Sequence, residues 1–368
     1  MKKGLYGLKQ AGRQWNLRLL EEICNLGFIQ CKSDSCLFVK ITSSIFIILL
    51  VFVDDILIIF NDFVVYNNLV YNLSKIFRLS VLGPVSWFLG FEIKCIDNYI
   101  ILSQSNYCKS IVKRFGFENS RFSRVPAQQN TKLLVNNKKL SCTYHYDYAS
   151  AVGSLMYCVV GTRVDLSMSV HSVCRFMASP AIEHYYAVDC IFRYLASNYN
   201  YSLLFKGIDL DLVGYCDADW AEDINDRKSV SGFVFVLGGT PVVWGTQKQS
   251  CVALSTQEAE YIAISVACRE LVWLRYLLSE LRVLDDRPSV IYSDNRAAIA
   301  LAHDPIQHKR NKHIDIKYHY IRDLIYKKYI QLDWISGSEM LADFLTKAVG
   351  YNKFREARDR LMYLSNRG

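Results

Sequence analysis

This 368-residue sequence contains no C-x-x-C cysteine pair, no recognisable secretion signal and no uninterrupted membrane span. Its twelve cysteines are scattered, with no C-x-x-C pair and no Cys/His cluster at zinc-ligand spacing. This distribution argues against a zinc module and predicts buried free thiols in a reducing compartment. No apolar segment follows Lys2 and Lys3, so we expect no signal peptide and a protein that is not secreted.

The most apolar run, residues 45–60, carries Asp54 and Asp55 near its centre. Two carboxylates at that depth are costly in a bilayer, and the apolar halves on either side have the length of strands. We therefore expect no membrane association.

The composition indicates a folded protein with an anionic partner. Hydrophobic residues make up 51% of a chain long enough for two or three domains. Lys and Arg number 43 against 35 Asp and Glu, a net charge of +8. Residues 307–328 hold seven Lys or Arg and two Asp, which favours contact with phosphates; a solvated helix face is the alternative.

Two adjacent carboxylates mark the first candidate site. Residues 52–59 (FVDDILII) predict a hairpin with Asp54 and Asp55 at its tip. Such a tip is suited to holding divalent cations against phosphates, and an ordinary Asp turn is the alternative.

Four further acids stand at element ends in the C-terminal part. Asp217 closes a short strand, Asp294 follows the strand 290–293, and Asp343 lies in the first turns of the last helix. Acids at the carboxyl ends of strands are typical of α/β sites, although Asp217 in a solvated turn and Asp294 as an N-cap are the alternatives.

The fourth acid, Glu260, is identified by elimination. Ser255 and Glu258 fit a capping box at the start of a long helix, so capping accounts for Glu258. Glu260, in the second turn, is then the acid left to face the strand ends.

The motifs together resemble a known family. Residues 5–10 (LYGLKQ), Arg13, Trp15 and the hairpin motif at 52–55 are similar to the reverse transcriptase of Ty1/copia-type retrotransposons. The family usually has Tyr at Phe52 and Pro at Gly12. Six later segments resemble the ribonuclease H of the same family: 215–221, 231–235, 253–261, 293–295, 312–316 and 341–347.

The resemblance implies a fold class and a domain order. We expect an α+β N-terminal part, the remnant of a reverse transcriptase palm and thumb, followed by an α/β ribonuclease H-like domain with a mixed five-stranded sheet. The expected borders are 1–125 for the truncated palm and start of the thumb, 126–205 for a linker and helical connection, 206–349 for the ribonuclease H-like domain and 350–368 for a tail.

It also implies a chemistry. Asp217, Glu260, Asp294 and Asp343 match the catalytic acids that hold two Mg²⁺ ions, with Mn²⁺ as the alternative, while the RNA strand of an RNA–DNA hybrid is cut. Family polymerases need a third carboxylate from a strand upstream of residues 5–10. The pair at 54–55 is therefore expected not to polymerise DNA by itself, and the upstream Pol segment is a candidate partner.

Eight residues are candidates for nucleic-acid contact: Lys9, Gln10, Arg13, Lys248, Lys309, Arg310, Lys312 and His313. Many ribonucleases H carry a histidine in the loop before the last helix, and none stands between Trp334 and Asp343. His313 is a candidate substitute, with phosphate contact or helix packing as alternatives.

Three functions remain open at this stage: a nuclease, a catalytically silent nucleic-acid-binding relic of a retrotransposon, and a transposase or integrase of related fold. The last is disfavoured because the polymerase motifs have no place in it. The resemblance places the protein in the cytoplasm, the nucleus or a virus-like particle.

Overall fold

The computed structural model describes residues 7–135, 144–303 and 312–365, and their side chains except those of 312–318. The chain forms two compact units. One comprises Met1–Phe88 and Trp273–Asp285, and the other comprises Leu89–Val272 and Asp286–Gly368. The expected domain borders at 125, 205 and 349 remain predictions.

The first unit is a four-stranded antiparallel sheet with two helices. Its strands follow the order β1-β2-β3-β4. The elements are α1 (Ala11–Asn25), β1 (Ile29–Gln30), β2 (Leu37–Ile41), β3 (Phe46–Phe52), β4 (Asp55–Phe60) and α2 (Phe63–Ser74). A further short strand, β5 (Trp87–Phe88), lies outside this sheet.

The core of the first unit explains why these segments fold. Leu19 and Ile23 of α1, four residues apart on one helix face, join Leu69 and Leu73 of α2 in one cluster with the sheet. Asp62 caps α2, because its carboxylate accepts the Val64 N–H at 2.7 Å.

The second unit begins with a hairpin and a group of helices. Its first elements are β6 (Phe91–Ile96), β7 (Tyr99–Ser103), α3 (Ser105–Arg114), α4 (Tyr148–Gly161), a 3-10 turn (Val164–Leu166), α5 (Ser167–Cys174), α6 (Ile182–Asn198) and β8 (Tyr201–Phe205). A buried polar group joins these helices. Arg163 donates two hydrogen bonds to Asp165, at 2.9 and 2.7 Å, and Tyr194 donates a third at 2.6 Å.

The C-terminal elements form the predicted mixed five-stranded sheet, in the order β11-β10-β9-β12-β13. Strands β9, β10 and β11 pair antiparallel, whereas β9, β12 and β13 pair parallel. The elements are β9 (Leu212–Ala218), β10 (Val230–Leu237), β11 (Thr240–Lys248), α7 (Thr256–Glu280), β12 (Ser289–Ser293), α8 (Arg296–His303), α9 (Lys312–Tyr326), β13 (Ile330–Trp334), α10 (Asp343–Thr346), α11 (Tyr351–Leu361) and β14 (Tyr363–Leu364).

Packing on this sheet fixes the ends of its strands. Ile262 and Ala263 of α7 pack against Ala218, the residue after Asp217. The four-residue helix α10 packs on β9 and β10. The sheet thereby carries an acid-bearing helix on each side of the end of β9.

Two expectations from composition can be compared with the described residues. None of their helices combines the length and apolarity that a membrane crossing requires. Their cysteines are free thiols, but the prediction that they are buried is wrong for Cys24, Cys36 and Cys95, which are exposed.

Candidate metal centre

Three carboxylates from separate elements converge at one edge of the C-terminal sheet. Asp217 lies near the end of β9, Asp294 follows β12, and Glu260 comes from the second turn of α7. One oxygen from each lies within 4.8 Å of the other two. Because β9 and β12 are parallel neighbours, their carboxyl ends meet at the same edge. Oxygen ligands at this spacing can hold a divalent cation.

Glu260 supplies the test of whether a cation fits. Its side chain is 6% exposed, and among the described residues its Oε2 has no hydrogen-bond partner. A buried carboxylate oxygen without a donor is costly in a folded protein. A bound cation removes that cost, so the donor set suits a metal ion.

Neighbouring polar residues cap the helices beside the site, so capping does not account for these acids. The Ser255 hydroxyl accepts the Glu258 N–H at 3.1 Å, and Glu258 accepts the Leu254 N–H at 2.9 Å. After β12, Asn295 rather than Asp294 caps α8, since its Oδ1 accepts the Ala298 N–H at 3.0 Å. Glu260 and Asp294 are thus left for the site, and the N-cap alternative for Asp294 is wrong.

Asp343 lies beside the group of three rather than within it. Its Oδ1 pairs with Lys347 Nζ at 2.9 Å, and the same ammonium lies 4.0 Å from Asp217 Oδ2. Lys353 of α11 also hydrogen-bonds Asp343, and it donates to the Gly337 carbonyl at 2.9 Å. Lys347 therefore links the fourth predicted acid to the first.

Burial and mutual repulsion shift the protonation of these acids. Burial, followed by repulsion from Asp217 and Asp294, raises the pKa of Glu260 to about 10. Burial raises the pKa of Asp217 to about 6 despite the opposing effect of Lys347, and burial followed by repulsion from Asp343 raises that of Asp294. Burial acts in the same direction on Asp343, but Lys353 and Lys347 hold its pKa below the ordinary value. The cluster is a strong attractor for positive charge.

A glycine lets α10 reach Asp217. A Cβ on Gly232, which pairs with Asp217 across the sheet, would lie 2.8 Å from Thr346 Cγ2 and 2.9 Å from Leu345 Cβ. With no side chain there, Thr346 Oγ1 comes within 2.6 Å of Asp217 Oδ2 as a hydrogen-bond donor. The bare backbone of β10 thus helps to orient the first acid.

The sequence matches known proteins over both units. Residues 1–129 match the profile of the family described as Reverse transcriptase (RNA-dependent DNA polymerase). The whole chain is 39% identical to the Pol polyprotein of transposon TNT 1-94 of Nicotiana tabacum, and 98% of it is 37% identical to that of transposon RE1 of Arabidopsis thaliana. The chain belongs to the Pol family of Ty1/copia-type retrotransposons.

The match is partial in length. This chain spans 28% and 25% of those two Pol polyproteins. Among solved structures, the foamy viral protease–reverse transcriptase in complex with double-stranded DNA is similar in fold, with a TM-score of 0.50 at 12% identity. That likeness covers 90% of this chain and 60% of the viral one.

The reverse transcriptase hairpin of this family member has the predicted form. Strands β3 and β4 pair up to Phe52 and Asp55, and both Asp54 and Asp55 are exposed at the tip. Val53 takes a φ of 56°, and its carbonyl accepts the Trp15 indole N–H at 2.7 Å. Helix α1 thus braces the turn that presents the two acids.

The predicted nucleic-acid contacts have different surroundings. Lys9, Gln10 and Arg13 are exposed at the start of α1. Lys248 pairs with Asp223 and, at 2.9 Å, with Asp226. Lys309 and Arg310 lie outside the described residues, and so do the side chains of Lys312 and His313 in α9. Contact with nucleic acid remains a prediction for all eight.

Sequence reasoning missed three residues at the site: Thr346, Lys347 and Lys353. Lys347 stands four residues after Asp343, a spacing that brings side chains together on a helix and could have revealed it. No local pattern indicates Thr346 or Lys353, because their contacts depend on how α10 and α11 pack.

Proposed function

We propose that the C-terminal part of this chain, residues 206–349, hydrolyses the RNA strand of RNA–DNA hybrids in a divalent-metal-dependent reaction. The convergence of Asp217, Glu260 and Asp294 at one sheet edge is the observation that supports this proposal most strongly. Membership of the Pol family supplies the context, because an RNA-dependent DNA polymerase leaves its template paired with new DNA.

In this proposal four acids hold two Mg²⁺ ions, with Mn²⁺ as an alternative: Asp217, Glu260, Asp294 and Asp343. When bound, such ions activate water and stabilise the leaving oxygen of the phosphodiester. Thr346 orients the Asp217 carboxylate through its hydroxyl. Lys347 and Lys353 hold Asp343 ionised and in place.

The proposed substrate rests on the way nucleic-acid helices are recognised as well as on the family of this chain. Hybrids are recognised through their shape, phosphates and 2′-hydroxyls rather than through base edges. The net charge of +8 favours association with such a polyanion.

The hairpin acids are proposed to be inactive without further ligands. Within the described residues, Asp54 and Asp55 belong to no group of three metal-ligand side chains. Two-metal phosphoryl transfer requires a fuller set of ligands. We expect no primer extension by the chain alone, and an upstream Pol segment is the partner that would complete the polymerase.

The test of substrate class uses one labelled sequence in four forms: hybrid, single-stranded RNA, double-stranded RNA and double-stranded DNA. With Mg²⁺, the full chain is expected to cut only the RNA strand of the hybrid. Equal cutting of double-stranded RNA would contradict the assignment to hybrids. Cutting of none would favour the catalytically silent nucleic-acid-binding relic.

A further inference from the structure

An exposed tryptophan is anchored directly to the metal centre. Trp334, the last residue of β13, is 46% exposed. Its indole N–H donates to the backbone carbonyl of Asp294 at 3.1 Å. This hydrogen bond fixes the ring beside one of the three converging acids, while close to half of the residue's surface stays exposed to solvent.

An arginine lies over that ring. The guanidinium of Arg296 is 4.1 Å from the centroid of Trp334, the distance of a cation–π contact. Arg296 is exposed, and among the described residues no carboxylate lies within ion-pair distance of it. A planar cation held against an aromatic ring beside an acidic site, with no neutralising carboxylate among the described residues, is suited to an anion that carries a planar or ring group.

Trp220, three residues after Asp217, is a second exposed tryptophan whose indole N–H is bonded to a backbone carbonyl. It is 50% exposed, and its indole N–H donates to the Ala253 carbonyl at 3.1 Å. Internal packing would bury these faces, and neither ring is buried. In both tryptophans the indole N–H, the only polar group of the side chain, is bonded to a backbone carbonyl. The surface that remains for a partner is therefore apolar.

We propose that Trp334 and Arg296 form a contact site for the nucleic-acid strand that is cut, next to the scissile phosphodiester. Arg296 takes a flanking phosphate, and the indole of Trp334 packs on the adjacent sugar or base. The inference rests on the proposed hydrolysis of hybrids and adds a means of aligning the strand over the acids. Trp220, three residues after Asp217 in sequence, offers a second exposed ring.

The occupant follows from charge and position. Stacking on an indole tolerates any base, and a guanidinium binds a phosphate through two parallel hydrogen bonds. The strand that crosses Asp294 is the one whose phosphodiester meets the metal centre. If the partner were a protein, the position of this site next to the acids would have no explanation.

Binding is measured separately from cutting, in full-length protein carrying Asp217→Asn. Anisotropy of a labelled RNA–DNA hybrid is followed between about 50 and 200 mM salt. Trp334→Ala is expected to weaken binding about 5- to 150-fold, and Trp334→Phe to retain most of the affinity. Arg296→Gln is expected to lower the slope of log affinity against log salt by about 0.7 to 0.9, whereas Arg296→Lys keeps the slope.

The first unit offers a matched control. Lys75 Nζ lies 4.0 Å from the ring centroid of Tyr71, which is 61% exposed. Tyr71→Ala and Lys75→Gln are expected to bind the hybrid like the parent.

Parental affinity and parental salt slope in Trp334→Ala and Arg296→Gln would overturn the inference. If Trp334→Ala does not fold, the two Arg296 variants decide. If Trp334→Ala loses binding but the chain with Asp217 intact cuts no hybrid, the contact site stands and the proposed hydrolysis is contradicted.

Discussion

Adding one methyl group at Gly232 should displace α10 from the metal centre. The Cβ of alanine would lie 2.8 Å from Thr346 Cγ2, 2.9 Å from Leu345 Cβ and 3.1 Å from the Leu345 carbonyl carbon. These atoms belong to the backbone or lie next to it, so the helix must shift as a whole. Thr346, Lys347 and Asp343 would move with it.

Overpacking of this kind costs about 1–3 kcal/mol of unfolding free energy. Thermal unfolding should therefore begin at a lower temperature, by about 2–4 °C for each kcal/mol in a unit of this size. Displacement of Thr346 also weakens its hydrogen bond to Asp217, now 2.6 Å long. We expect hybrid cutting to fall at least about tenfold, because catalytic geometry tolerates little displacement.

Gly153 of α4 is the control for this substitution. Within the described part of the chain, no atom beyond the adjoining backbone of its own helix lies within 4 Å of the position its Cβ would take. Since glycine in a helix interior costs about 0.5–1 kcal/mol relative to alanine, Gly153→Ala should raise the unfolding temperature and leave cutting unchanged. If Gly232→Ala unfolds and cuts like the parent, the tight approach of α10 to β10 is refuted.

Three further predictions test buried ion pairs and a helix cap in the second unit. Arg163→Met leaves the buried Asp165 carboxylate without its bidentate partner, so it should lose about 3–5 kcal/mol, and adding Asp165→Leu should restore most of the loss in urea unfolding. Although burial opposes the shift, Lys248, Asn225 and Arg175 lower the pKa of Asp223 to about 2. Ionised Asp223 therefore contributes about 2 kcal/mol to the free energy of unfolding. This contribution is complete above pH 3.8, the pKa of the group in the unfolded chain, and is lost as the pH falls toward 2. The free energy of unfolding should change less between pH 5 and pH 3 in Asp223→Asn than in the parent. An equal change in the two proteins would contradict the ion pairs. Ser255→Ala should cost about 1 kcal/mol by removing the cap of α7, and unchanged thermal unfolding would argue against that cap.

The sequence was informative wherever local chemistry determines structure. Apolar runs on either side of Asp54 and Asp55 predicted the hairpin, and the capping box at Ser255 located the start of α7. The same box separated Glu258 from Glu260, and the structure brings Glu260 to the group of three as expected. Each of these signals lies within a few residues of the feature it predicts.

Contacts between distant segments could not be predicted in this way. Thr346 and Asp217 are 129 residues apart, and their hydrogen bond depends on the absence of a side chain at Gly232. Lys353 reaches Asp343 only because α11 turns back toward α10.

The most direct test of the metal centre is the rate at which the full chain cuts the RNA strand of a labelled hybrid with Mg²⁺. Three proteins are compared: the parent, Asp217→Asn, and Asp286→Asn as a control at an exposed acid. We predict that the parent and Asp286→Asn cut the hybrid and that this cutting stops when the metal is chelated. Asp217→Asn is predicted not to cut. Equal rates in all three proteins, or cutting that survives chelation, would contradict the account.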